Sequence, residues 1–166
     1  MNVQFMTTTR DGAPHFQIKQ SRNARVILKV AHLGLTDVEQ WLSPPKLEFF
    51  LAQDIFIAFL ASIEMDAAVA ALPVGVIMGG LEEEGRVWIE ILSVHPDYHR
   101  QGVATALVQR LQQTAKELGA RGLMVDVDDD NHQALRFYKR VGFKQVGDIR
   151  HYYYDGSRAL ILFCPL

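Results

Sequence analysis

Glu90-Ile-Leu-Ser-Val-His-Pro-Asp-Tyr-His-Arg-Gln-Gly-Val-Ala-Thr105 is the stretch that decides how this chain is read. An apolar strand from Trp88 to Val94 runs into a short polar turn, and the turn into a helix opened by Gly102. The helix carries apolar residues at Val103, Leu107, Leu111 and Leu118, a helical period, and stops at Gly119. The first turn of a helix leaves its amides unpaired at the positive end of the macrodipole, so such a junction suits an anion. Gly102 and Ala104 keep the turn bare, and Arg100 adds a fixed positive charge. The segment is a phosphate cradle by its chemistry. It is not a Walker loop, because no Lys follows a Gly here, and Gly102 alone does not make the three-glycine dinucleotide fingerprint.

Further along, a short β-branched and apolar run, Gly122-Leu-Met-Val-Asp-Val127, precedes Asn131-His-Gln-Ala-Leu-Arg-Phe-Tyr-Lys-Arg-Val-Gly-Phe143. Asn131 is a good N-cap and Gly142 a good C-cap, and Ala134, Leu135, Tyr138 and Val141 share a face. Asn131 and Tyr138 are about two helical turns apart, so both can look toward one cleft.

These two segments together resemble the GNAT superfamily of N-acetyltransferases. His99-Arg100-Gln101-Gly102-Val103-Ala104 is similar to its coenzyme A loop, with His99 where the family prefers Arg or Gln. Residues 131–143 are similar to its Asn-x-x-Ala-x-x-x-Tyr-x-x-x-Gly-Phe signature. The resemblance covers roughly residues 66–163. It implies an α/β fold of the GNAT type, with a mixed, mostly antiparallel central sheet flanked by helices on both faces. It also implies acetyl-CoA as co-substrate, held by His99 to Thr105, by the backbone of Leu92, Ser93 and Val94, and by Asn131.

Bulk properties agree. A chain of 166 residues, 49% hydrophobic and 22% charged, is read as one domain, 1–166, with 1–14 a loose arm. A net charge of -2 speaks against a nucleic-acid partner bound through a basic face. The single cysteine, Cys164, allows no internal disulfide, and Met1 to Pro14 lacks an apolar leader, so a cytoplasmic protein is expected. The apolar stretch Leu47 to Ile63 contains Glu48, Gln53 and Asp54 and is too short to span a membrane. It is read as a buried or partner-facing helix, and no membrane partner is expected. Self-association into a homodimer stays open.

The remaining elements are read as follows. The first strand lies within Phe16 to Val30, with Arg25 to Val30 the best stretch for it. Thr36-Asp37 caps a helix ending at Trp41-Leu42 before Pro44-Pro45, and a second helix covers about Lys46 to Ile63. Strands near Ala67–Leu72 and Val74–Leu81 join at Pro73. A further strand covers Arg86–Val94. Residues 143–154 lead to a turn at Asp155-Gly156 and a last strand, Ser157–Phe163.

The resemblance implies acetyl transfer to an amine. An ammonium must lose a proton before it can attack a thioester, so a base is needed. Glu90 stands on the strand where many relatives carry a catalytic Glu. Asp126 stands where the ribosomal-protein N-terminal acetyltransferases place theirs, one methylene shorter, which calls for a bridging water. Tyr138, with a phenol pKa near 10 against a thiol near 8.5, is the candidate acid for the departing CoA thiolate. Arg150-His-Tyr-Tyr-Tyr-Asp-Gly-Ser-Arg-Ala-Leu-Ile-Leu162 is similar to the tyrosine hairpin of N-terminal protein acetyltransferases, which makes Tyr152 and Tyr153 candidate substrate contacts. Ser157-Arg158 departs from the acidic residue found there. Two function classes stay open: an N-acetyltransferase acting on a peptide α-amine or on a small amine such as a polyamine or aminoglycoside, and a CoA-sensing module without turnover. No metal is expected. A calcium loop from Asp126 would need Gly at 131 and Glu at 137, where Asn131 and Phe137 stand, and Pro96 opposes a helix that would align His95 with His99.

Overall fold

A computed structural model describes residues 16–35, 42–63 and 71–166. The strands are β1 (Phe16–Gln20), β2 (Phe56–Ile63), β3 (Leu72–Leu81), β4 (Arg86–Val94), β5 (Gly122–Asp128), β6 (Lys144–Ile149) and β7 (Ala159–Pro165). The helices are α1 (Ala24–Ala31), α2 (Pro44–Leu51), α3 (Val103–Glu117) and α4 (His132–Arg140). The strands form one mixed sheet in the order β1-β2-β3-β4-β5-β7-β6, with β4 and β5 parallel and β5, β7 and β6 antiparallel. Among the described residues, no helix is long and apolar enough to cross a membrane.

The described residues of 1–79 and 91–111 make one compact unit, and those of 80–90 and 112–166 a second. In the first unit, Val76 and Met78 of β3 are buried with Ile27 of α1 and Leu47 of α2. Gly75, one residue earlier and so on the opposite face, meets Val103 and Leu107 of α3. Helices therefore cover both faces of the sheet there. A Cβ on Gly75 would lie 2.9 Å from Val103 Cγ1 and 3.1 Å from Leu107 Cδ1. Gly75→Val should accordingly lower stability by about 1–3 kcal/mol through overpacking, read as a lower urea midpoint at unchanged slope. An unchanged midpoint would mean that α3 can back away from the sheet freely.

Two elements differ from the sequence expectation. Arg25 to Val30 is helical, not a strand. Asn23 Oδ1 accepts the Val26 N–H at 3.2 Å, and Ala24, Ile27, Leu28 and Ala31 fall on one buried face at helical spacing. The first strand is instead β1, Phe16–Gln20. The expected helix over Lys46–Ile63 is α2 followed by β2. β2 is buried between layers on both sides: Ala58 and Leu60 belong to the α1–α2 cluster, while Phe59 lies under the Arg110 guanidinium of α3 at 5.3 Å. Burial on both faces erases the alternation that marks a half-exposed strand. The expected arm 1–14, the Thr36-Asp37 cap and most of the Ala67–Leu72 strand lie outside the described residues. Pro73 is the second residue of β3.

Candidate active site

The cradle belongs to the first unit. After β4, Pro96–Tyr98 form a single 3-10 turn pinned by the His95 ring, whose Nδ1 accepts the Asp97 N–H at 3.1 Å. His99 closes it. Its Nε2 donates to the Val94 carbonyl at 2.8 Å, and its amide donates to the Pro96 carbonyl at 3.1 Å. Gln101 Nε2 donates to the Asp97 carbonyl at 2.8 Å. Both side chains brace the turn, so His99 has no amide left to offer an anion.

The next residues are different. The amides of Arg100 to Thr105 meet no acceptor among the described residues, and the first bond of α3 runs from the Ala106 N–H to the Gly102 carbonyl. Arg100 (φ 60°) and Gly102 (φ 84°) are left-handed while Gln101 between them is not. Alternation of that kind turns successive N–H groups toward one concavity, the geometry of an anion nest. A Cβ on Gly102 would meet nothing within 4 Å, so backbone conformation, not crowding by the protein, favours glycine here. Such a run of bare donors at the start of a helix fits a pyrophosphate. Leu92, Ser93 and Val94 end β4 just before the turn. The Ser93 hydroxyl is occupied elsewhere. It is buried, 3.1 Å from the carbonyls of both Val30 and Ala31, where it serves the unpaired end of α1, so only the Ser93 backbone remains for a ligand.

The candidate bases belong to the second unit. β4 and β5 pair in register from Arg86 with Gly122 to Trp88 with Met124. The pairing ends there; Glu90 stands two residues beyond Trp88 and Asp126 two beyond Met124, each on the same face of its strand as that residue. Asp126 is held on both oxygens: the Trp88 indole Nε1 donates to Oδ1 at 3.1 Å and the Tyr153 hydroxyl to Oδ2 at 2.9 Å. Burial foremost, then the Asp126 charge and this hydrogen bond, push the Tyr153 phenol above its ordinary range, so it stays a donor. Tyr152 packs edge-on against it with centroids 5.0 Å apart and is 44% exposed. Partial burial and the charges of Asp126 and Glu90 raise the Tyr152 phenol too, which places it near both carboxylates. Tyr153, a candidate substrate contact by resemblance, has its hydroxyl committed to Asp126.

Tyr138 lies on α4, a helix started by Asn131, whose Oδ1 accepts the Ala134 N–H at 3.0 Å, and ended at Gly142 (φ 99°). That cap leaves Asn131 its side-chain N–H donors for any ligand. Tyr138 is 6% exposed, packed edge-on by Phe137 and Phe143 at 5.2 and 5.1 Å. Burial, and secondarily the Asp126 charge, push its phenol well above the ordinary tyrosine range. It keeps its proton at any physiological pH. It is thus poorly matched to a thiol for outright proton transfer, and well suited to donate a hydrogen bond to a developing thiolate.

The acidic run at the end of β5 is bonded to the final hairpin. Asp128 accepts the Ser157 hydroxyl and Asp129 the Arg158 guanidinium, each at 2.9 Å, tying the final hairpin to the end of β5. Ser157 and Arg158 depart from the family pattern, and these bonds are what they make instead. The Asp128, Asp129 and Asp130 carboxylates lie within 4.8 Å of one another, but two of the three are already engaged. Trp88, Ser157 and Arg158 were not read from the sequence as parts of the site. For Trp88 a signal was present, since it shares its strand face with Glu90.

The model of the acetyltransferase (GNAT) family matches residues 30–143. The chain belongs to the GNAT family. It is 38% identical over 76 residues to an N-alpha-acetyltransferase of Sulfurisphaera tokodaii, covering 45% of this chain and 46% of that one. Over 74 residues it is 34% identical to N-alpha-acetyltransferase 30 of Schizosaccharomyces pombe, covering 45% of this chain and 49% of that one. The chain therefore matches about half the length of these curated relatives. The crystal structure of the NatC complex bound to Gag peptide and CoA superposes with a TM-score of 0.77 at 22% identity, covering 91% of this chain and 98% of that one. At that identity the likeness speaks for the GNAT fold alone.

Proposed function

We propose that this GNAT protein transfers an acetyl group from acetyl-CoA to a primary amine, and that the amine is a peptide or protein N-terminal α-amine. The observation that carries the reading is the run of bare amides from Arg100 to Thr105, an arrangement that suits a pyrophosphate. The curated relatives, both named N-alpha-acetyltransferases, support the acceptor. In this reading the Arg100 to Thr105 amides hold the CoA pyrophosphate, with Asn131 a further contact. The Leu92 to Val94 backbone pairs with the pantetheine arm and polarises the thioester carbonyl. Asp126 or Glu90 takes the proton from the incoming ammonium, directly or through water. The neutral amine attacks the carbonyl carbon, and the C–S bond breaks with its electron pair leaving on sulfur. Tyr138 donates a hydrogen bond to that thiolate, and the surplus proton on the new amide nitrogen passes through water to the thiolate or to solvent.

Acid-base arithmetic agrees with the acceptor. At pH 7 an α-amine is ~10% neutral and a lysine amine only ~0.04%. The deciding experiment measures acetyl-CoA consumption against peptides of varied first residue, polyamines and aminoglycosides. Turnover with peptides is expected. Turnover with the small amines alone would overturn the acceptor, and CoA binding without turnover on any of them would leave a CoA-sensing module.

The two carboxylates separate by their pH profiles. Glu90→Gln and Asp126→Asn each remove a charge with little change of volume. The variant lacking the base should lose most activity at pH 7 and regain it as pH rises, because more of the amine is then already neutral. For an α-amine that recovery comes by about pH 8–9, whereas a lysine-like acceptor needs about pH 10. Wild-type rates in both variants across this range would exclude both residues as the base.

A further inference from the structure

Asp126 is not a carboxylate left to orient itself. It accepts from Trp88 Nε1 on one oxygen and from the Tyr153 hydroxyl on the other, at 3.1 and 2.9 Å. The two donors come from independent elements, one from β4 and one from the loop between β6 and β7. Both rings are themselves fixed. Trp88, Tyr153 and Phe163 pack on the buried cluster of Met124, Ala159 and Ile161; in the β5–β7 pairing Asp126 is opposite Ile161 and Met124 opposite Phe163. A carboxylate has about four lone-pair sites, and these donors are the two that the described residues supply, one on each oxygen.

We infer that Trp88 is a positioning residue, which together with the Tyr153 hydroxyl clamps Asp126 in one orientation toward the acceptor amine. The inference rests on the reading of Asp126 as the base, and extends it to a residue that touches no reacting atom. Trp and Tyr suit this task because neither gives up its proton to the carboxylate at neutral pH, and both are stiff two-torsion side chains. Arg in either place would supply a donor but also a full charge, which would compete with the ammonium for Asp126.

The test uses Trp88→Phe, Tyr153→Phe and Asp126→Asn, alone and paired. Each phenylalanine keeps a ring and removes one donor. In the wild-type background Trp88→Phe should lower kcat/KM by ~10-fold, chiefly through kcat, as expected for loss of one hydrogen bond to a charged group. In the Asp126→Asn background it should change the rate less than about twofold, because the group it positions is gone. A second readout is independent of turnover. The chain has 2 tryptophans, and the indole N–H resonance missing from the Trp88→Phe spectrum identifies Trp88. That resonance should move on Asp126→Asn and, more weakly, on Tyr153→Phe. The inference is overturned if the indole resonance ignores Asp126→Asn, or if Trp88→Phe costs the same factor in both backgrounds. An inactive Asp126→Asn beside a fully active Trp88→Phe overturns the positioning role alone. Full activity in Asp126→Asn overturns the base reading and the positioning role together.

Discussion

Gly102→Glu is expected to weaken CoA binding by at least ~100-fold, measured by calorimetry. Two effects add. A side chain at φ 84° costs about 1–2 kcal/mol, which tends to pull the turn out of the nest geometry. The new carboxylate stands among the amides meant for a pyrophosphate and repels it, and every 1.4 kcal/mol is about tenfold in affinity. Nothing in the protein lies within 4 Å of a Cβ there, so the variant should still fold, and a lost affinity reports on the ligand. Equal affinities for wild type and variant would remove the cradle from the account, and with it the main support for an acetyl-CoA enzyme.

Tyr138→Phe should lower kcat by about 10²-fold with little change in CoA affinity, as for removal of one preorganised donor at a developing charge. The hydroxyl is buried and its phenol is pushed up by burial and by Asp126, so the kcat profile of the wild type should show no basic limb from Tyr138 below about pH 10. Phenylalanine fits the same space between Phe137 and Phe143, so stability should hold. An unchanged kcat would return Tyr138 to the role of a core aromatic.

The second half of the chain was readable because its signals are local. Asn131 and Gly142 mark the two ends of one helix, Gly102 and Gly119 those of another, and caps are short-range chemistry. The first half failed where tertiary packing decides. Arg25 and Lys29 are four residues apart, helical spacing, yet the β-branched residues among them suggested a strand. β2 reads as a continuation of the α2 pattern because layers on both sides bury it. At the site, the resemblance to the family's motifs brought out Tyr138, Glu90 and Asp126 as candidates. It could not give the bonds among Trp88, Tyr153 and Asp126, since their partners are 27 and 38 residues apart. Nor could it show that His99 and Ser93 spend their side chains on bracing the turn and α1.

The last strand in the sheet order, β6, has a consequence for solubility. Pairing with β7 shifts register between Gln145 and Gly147, so Val146 is an extra residue with no opposite number, and it is 58% exposed. An exposed strand with a free row of main-chain donors and acceptors templates growth by other chains. The extra residue twists that row out of line, and Lys144 and Asp148 flank it with charge. Deleting Val146 would straighten the border into a ladder open to a neighbour, and turn a sheet that ends into one that can polymerise.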